Sequence, residues 1–192
     1  GMGQLWERQA LCKARPAVVS ERMRPVVESL IQDVIYSEPW RPEFALQIAD
    51  MRRRLEETAK PLDIKRGRGG IVDVEFLVQM LQLRHGREYP EIRKTSTFAA
   101  MRALHEKGLL REQTFNELYE SYRFLRALEN RLQLVAPTAK SRIPEDPTEL
   151  ARLAHLMSAE DPGSLVQTVE QYLARNRYHW ETTVNRLAEG KE

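Results

Sequence analysis

The chain has 192 residues, 42% of them hydrophobic and 30% charged, and 30 Lys plus Arg against 28 Asp plus Glu leave a formal charge of +2. That balance fits one generous globular domain and excludes a disordered chain, while near-neutrality argues against nucleic acid as a partner. No membrane span is expected, because the longest apolar stretch, Ile71 to Leu83, is broken by Asp73, Glu75, Gln79 and Gln82.

Strand signals are nearly absent. Leu5 to Arg15 is a short amphipathic helix stopped by Pro16, and Ser20 is placed to cap a second helix running to about Tyr36. Pro39 and Pro42 break the chain; Pro42 suits the first turn of a third helix in which Ile48, Met51 and Leu55 recur. Pro61 opens a short segment, followed by Lys65-Arg66-Gly67-Arg68-Gly69-Gly70, too rich in glycine for a regular element. The run from Ile71 to Arg84 is apolar nearly all round and reads as a buried helix with Gly86 as its C-terminal cap. A strand competes at its start, where Ile71, Asp73 and Glu75 alternate with Val72, Val74 and Phe76, but the length favours a helix.

Thr95 or Ser96 caps the next helix, which ends at Gly108, and a longer one extends from about Arg111 to Val135. Pro137 and Pro144 bracket a loop. Asp146, Pro147 and Glu149 then combine cap, first-turn proline and capping-box acid for a helix to about Met157, and a last helix covers Ser164 to Leu187. The fold class expected is all-α, a bundle of seven or eight helices forming a single domain over residues 1–192, with 146–192 as an optional C-terminal lobe. The single cysteine, Cys12, allows neither an internal disulfide nor a cysteine metal cluster. Gly1-Met2 reads as a tag remnant with no signal peptide behind it, so a cytoplasmic setting is expected.

The chemistry-bearing candidates gather at one place. Lys65, Arg66 and Arg68 with Gly69 and Gly70 at a helix start match neither a P-loop nor a dinucleotide fingerprint. Exposed N–H groups and the helix dipole there favour an anion such as phosphate; a solvated basic turn is the plain alternative. Asp73 and Glu75 would share a face on a strand and act as paired metal ligands, whereas on a helix they point about 200° apart. On that helix Asp73 serves as a first-turn acid and Glu75 joins a polar seam with Gln79 and Gln82. The four histidines are scattered without zinc-binding spacing, and no nucleophile motif is present. Trp6, Trp40 and Trp180 read as core, and Arg123, Arg126 and Arg131 with Glu129 as an ion-paired helix face.

The stretch Asp63-Ile64-Lys65-Arg66-Gly67-Arg68-Gly69-Gly70-Ile71-Val72-Asp73-Val74-Glu75-Phe76 resembles the signature of the bifunctional glutamine synthetase adenylyltransferase and adenylyl-removing family, whose helical domain is similar to that of the uridylyltransferase acting on the PII signal protein. Trp6 to Leu11, Lys13 to Pro16, Gln79 with Leu81 to Leu83, Tyr122 to Arg126 and Leu128 to Gln133 agree in the same order, so the resemblance extends over roughly Trp6 to Met157. It implies a parent enzyme of two nucleotidyltransferase domains, each followed by a helical domain like this one. One half attaches AMP from ATP to a tyrosine of glutamine synthetase; the other removes it by phosphorolysis to ADP. Both use Mg2+, under control by PII and glutamine.

The family's metal-binding carboxylates lie in a G-S-x-S-D-x-D motif of the preceding nucleotidyltransferase domain. The only Gly-Ser pair here is Gly163-Ser164, with no aspartates after it, so neither catalytic residues nor metal ligands are expected in this chain, and the fragment alone is expected to be inactive. The resemblance implies that Lys65, Arg66, Arg68, Gly69 and Gly70 bind nucleotide or phosphate, with Asp73 and Glu75 behind them and Asp73 orienting Lys65, Arg66 or a metal-bound water. Lys13 to Pro16 and His85 to Arg93 look more like the adenylyl-removing half. The alternative is a helical adaptor that docks glutamine synthetase or PII without touching nucleotide.

Overall fold

The computed structural model describes residues 4–136 and 141–191, which leaves Gly1-Met2 and Pro137, the start of the expected loop, outside the described residues. Eight α-helices form among them: α1 (Leu5–Leu11), α2 (Arg24–Ile35), α3 (Glu43–Glu56), α4 (Ile71–His85), α5 (Thr97–Glu106), α6 (Glu112–Val135), α7 (Pro147–Leu156) and α8 (Pro162–Ala188), with a 3-10 turn at Pro90–Ile92. The only pairing of strand type among the described residues is an isolated antiparallel bridge between Asp63 and Arg142. The all-α expectation is borne out, and the strand alternative at Ile71 to Phe76 is overturned.

Local chemistry accounts for the helix ends. Asp146 accepts hydrogen bonds from the N–H groups of Thr148 and Glu149, both at 2.9 Å, with Pro147 at the first helical position of α7. Helix α2 starts at Arg24, later than Ser20: the Ser20 carbonyl accepts from Met23 and Arg24 in a lead-in turn, and Pro25 takes a first-turn position where its missing N–H costs nothing. Helix α1 stops at Leu11, short of Arg15. The N–H groups of Cys12, Lys13 and Ala14 reach back only three residues, tightening the chain ahead of Pro16, which disfavours helix in the residue before it.

The chain forms two interleaved compact units. The first comprises Gly1–Met51, Phe76–Phe115 and Val184–Glu192. Its interior holds Phe44, Ala45, Ile48, Leu77, Leu81, Ile92, Met101 and Leu104. Buried Arg8 donates Nε to the Ile35 carbonyl (2.8 Å) and Nη2 to the Glu38 carbonyl (3.1 Å), tying α1 to the end of α2. Gln79 accepts from Gln9 (2.9 Å), and Gln82 donates to the carbonyls of Ile92 (2.8 Å) and Lys94 (2.9 Å). Gly86 follows α4 as expected, but its φ is not left-handed; glycine is needed because an added Cβ would lie 2.3 Å from the Tyr36 ring. Trp6, expected in the core, is 52% exposed.

The second unit comprises Arg52–Glu75 and Asn116–Thr183. Here α6 and α8 run antiparallel. The pairing order reads Glu117 with His179 (2.6 Å), Ser121 with Asn176, and Phe124 with Tyr172 (ring centroids 4.9 Å apart). Leu118, Leu125, Leu128 and Leu132 of α6 and Leu165 and Val169 of α8 are buried. Arg131 Nε donates to the Leu156 carbonyl (2.8 Å), holding the end of α7.

Candidate functional site

The glycine corner lies wholly in the second unit, and its backbone is locked from within. Asp63 Oδ1 accepts from the N–H groups of Lys65 (2.8 Å) and Arg66 (2.9 Å) and from Ser141 Oγ (2.8 Å), while the Asp63 carbonyl accepts from Gly67 N–H (2.9 Å). Ile64 N–H bonds to the Ser141 carbonyl (2.9 Å) and Ile143 N–H to the Leu62 carbonyl (3.1 Å), fastening the loop to residues 141–143. At the head of α4, Ile71 N–H bonds to the Ile64 carbonyl (2.9 Å), Val72 N–H to the Lys65 carbonyl (3.1 Å) and Asp73 N–H to the Gly70 carbonyl (3.0 Å). Gly70 N–H goes to the Gly67 carbonyl (3.0 Å) and Gly69 N–H to Asp73 Oδ2 (2.9 Å). The expectation that these amides stand exposed for an anion is therefore corrected: the helix-start donors are consumed by the corner itself.

Close approach explains the glycines. A Cβ on Gly69 would lie 1.8 Å from the Leu173 carbonyl oxygen of α8, and Gly69 sits at φ +74°, in the left-handed region. A Cβ on Gly67 would lie 2.3 Å from the Asp63 carbonyl oxygen, and one on Gly70 would lie 2.7 Å from that of Lys65. Buried Asn176 of α8 donates Nδ2 to the Gly69 carbonyl (2.9 Å) and accepts from Ser121 Oγ, so α6, α8 and the corner share one hydrogen-bonded line.

Behind the corner sits an ion cluster that runs from a buried pair, Arg52 and Asp73, out to the surface. Arg52 of α3, fully buried, donates Nε to Asp73 Oδ1 and Nη2 to the carbonyls of Arg66 (2.9 Å) and Gly67 (2.7 Å). Arg177 of α8 lies 3.4 Å from Asp73 Oδ2 and 2.9 Å from Glu56, and its Nε donates to Glu181 (2.7 Å). Arg68 Nη2 meets the same Glu181 oxygen, Oε1, at 2.9 Å. Three guanidinium groups thus meet three carboxylates, Asp73, Glu56 and Glu181, and the sum is neutral. Burial pushes the Asp73 carboxyl up from its ordinary value, against the pull of Arg52, Arg177 and the Gly69 N–H. Burial also works against the Arg177 charge, but Glu181, Asp73 and Glu56 outweigh it and raise that group.

The cationic side chains of the loop turn outward: Lys65, Arg66 and Arg68 are all exposed. Lys65 Nζ lies 3.0 Å from Glu129 Oε1, and Arg126 holds the other oxygen of that buried carboxylate at 2.8 Å. Asp73 therefore has Arg52, Arg177 and Gly69 as its partners, and Lys65 is oriented by Glu129. Glu75 accepts from Tyr122 Oη at 2.8 Å, apart from the Gln79 and Gln82 bonds of the expected seam. Asp73 and Glu75 stand on one helix, facing different partners, so the paired-ligand arrangement that a strand would have produced is not formed. With Asp73 Oδ1 and Oδ2 and Glu75 Oε1 engaged by these donors, the two carboxylates do not fit a Mg2+ site.

Arg52, Asn176 and Arg177 escaped the sequence reading. Arg52 lies among three consecutive arginines and reads as solvated, yet it continues the buried stripe of Ala45 and Ile48 at helical spacing, where Met51 and Leu55 are only half-buried. Asn176 likewise follows Val169 on the buried side of α8. A polar residue in phase with an apolar stripe was the available signal.

Fold and corner define a helical module whose glycine-locked basic loop is fastened to the buried pair Arg52 and Asp73. The family model described as GlnD PII-uridylyltransferase matches residues 42–189, and the chain belongs to this family. Curated relatives named bifunctional glutamine synthetase adenylyltransferase/adenylyl-removing enzyme agree with the resemblance carried by the signature. The protein from Mycobacterium leprae is 39% identical over 161 residues, covering 79% of this chain and 16% of the relative. That from Bartonella quintana is 32% identical over 192 residues, 94% of this chain and 19% of the relative. That from Streptomyces coelicolor is 37% identical over 152 residues, 77% of this chain and 15% of the relative. The chain thus spans less than a fifth of the length of these relatives. Among the described residues no helix is long and apolar enough to cross a membrane.

Proposed function

We propose that this chain is the helical companion module of a glutamine synthetase adenylyltransferase/adenylyl-removing enzyme. In this reading its basic loop completes the nucleotide or phosphate site of a neighbouring nucleotidyltransferase domain. The carrying observation is that Lys65, Arg66 and Arg68 project outward from a backbone immobilised by its own hydrogen bonds and by Arg52. Cations held in place beforehand lose little freedom when they meet phosphate oxygens. Gly69 and Gly70 then act by shape, and Asp73 acts by fixing Gly69 and Arg52. ATP or ADP and Mg2+ are assigned to the parent enzyme, the metal to carboxylates of the catalytic domain. The likeness of Lys13 to Pro16 and of His85 to Arg93 supports the adenylyl-removing half, and a cytoplasmic setting with PII as regulator belongs to the same reading.

The test is steady-state kinetics of the parent enzyme carrying Lys65→Ala or Arg66→Ala. Loss of one charge-assisted contact to phosphate is expected to raise the Michaelis constant for nucleotide or phosphate about 10- to 100-fold with the fold intact. An unchanged Michaelis constant overturns the site assignment.

The internal use of the amides favours a second reading, a helical adaptor that docks glutamine synthetase or PII and leaves nucleotide to other domains. It predicts from the same variants an unchanged constant for nucleotide.

A further inference from the structure

We infer that the apolar face of α2 is the seat of the adjoining module of the parent polypeptide. Met23, at the N-terminal edge of the helix, is 47% exposed, and Val26, Leu30 and Val34 are 47%, 58% and 40% exposed. At 100° per residue these four fall within about 80° of arc, so they form one stripe. Exposed Arg24 flanks it on one side and exposed Asp33 on the other. Of the twelve residues of α2, Ile35 is the one fully buried. A helix this short draws its stability from tertiary packing, and a contiguous apolar stripe with a polar rim marks a face that meets another surface.

The occupant follows from the extent of the matches. The match to the family model begins at residue 42, so α2 lies outside the matched stretch. The relative from Bartonella quintana nevertheless aligns with 94% of this chain, and over four-fifths of its own length lies beyond the matched stretch. Helix α2 therefore lies outside the matched family model yet within the stretch shared with that longer relative, and its open face is apolar. An adjoining module in the same polypeptide meets such a face at high effective concentration and needs no large interface to stay seated. The inference rests on the proposed reading of the chain as one module of a longer enzyme.

Hydrogen–deuterium exchange tests it, comparing the α2 amides in the full parent enzyme with those in the 192-residue chain. Exchange about tenfold slower or more in the parent is expected. The double variant Leu30→Glu, Val34→Glu should abolish that difference, while moving the melting temperature of the shorter chain by only about 1 °C, since its side chains already meet water there. Equal exchange in the two proteins overturns the inference. So does dimerisation of the shorter chain that the double variant abolishes, or protection that arises only when glutamine synthetase or PII is added. The nucleotide reading fails separately: slowed exchange of α2 beside an unchanged Michaelis constant for Lys65→Ala removes the phosphate site and leaves the docking face.

Discussion

Arg52 and Asp73 stand at the end of α3 and the head of α4, both fully buried, and are joined through Nε and Oδ1. Their pairing does more than neutralise charge. Arg52 also closes the carbonyls of Arg66 and Gly67, and Asp73 holds the Gly69 N–H, so two side chains set the path of the loop between the helices.

Breaking that pair from one side leaves an uncompensated charge in the interior. Arg52→Met should therefore lower unfolding free energy by about 3–5 kcal/mol, measured by urea titration. Asp73→Asn keeps an oxygen for Gly69 but turns its amide NH2 against the Arg52 Nε–H and leaves that guanidinium without its buried carboxylate, so it should cost a comparable amount. A loss under about 1 kcal/mol for either variant would mean that the pair does not hold the corner.

Gly69 and Gly108 separate steric conflict from backbone strain. Both have positive φ, +74° and +72°, but a Cβ on Gly108 meets nothing within 4 Å, whereas one on Gly69 meets the Leu173 carbonyl. Gly108→Ala should cost about 1–2 kcal/mol. Gly69→Ala must displace α8 backbone and should cost roughly 4 kcal/mol or more, or fail to fold. Thermal denaturation of both variants reads the difference.

His85, at the end of α4, has its imidazole pushed down to about 4 by burial and by Arg84 and Arg186, with Glu88 opposing. Its folded value lies below the unfolded one, so the unfolded state takes up the proton first. The stabilising contribution is complete above about pH 6.5 and is lost as pH falls towards 4. Discounted for solvent at a half-buried ring, the loss amounts to about 1 kcal/mol. His85→Gln should flatten this part of the stability profile between pH 7 and 4.

Cys12 is buried, and burial pushes its thiol up to about 12 in spite of Arg8. The thiolate is the reactive form, so labelling by a thiol reagent should be negligible in the native chain. It should rise in step with opening of the first unit in denaturant. Rapid native labelling would contradict the packing of α1.

Helix positions were legible in the sequence because they rest on local chemistry: the Asp146 cap with Pro147 and apolar residues recurring along α6 and α8; Ser96 takes the position before α5 without a side-chain cap bond. The ends that shifted, at α1 and α2, did so at Pro16 and Pro25, where the turn geometry depends on hydrogen bonds of single residues. The basic loop and its glycines were equally visible, as was the family they signal. Their purpose was not. Whether a backbone N–H at a helix start faces solvent or a neighbouring carbonyl depends on the three-dimensional course of the chain, and here Asp63, Ile64, Lys65 and Asp73 take those donors.

What composition and periodicity determined by themselves was an all-α chain with a cationic, glycine-rich loop ahead of a buried helix. Only the tertiary structure decided that Arg52 and Arg177 converge on Asp73, that Gly69 is required by a carbonyl of α8, and that the Lys65 partner is Glu129. Helical periodicity is a property of neighbouring residues. Ion pairs and close approaches join positions tens to more than a hundred residues apart, and those distances exist only once the helices have packed.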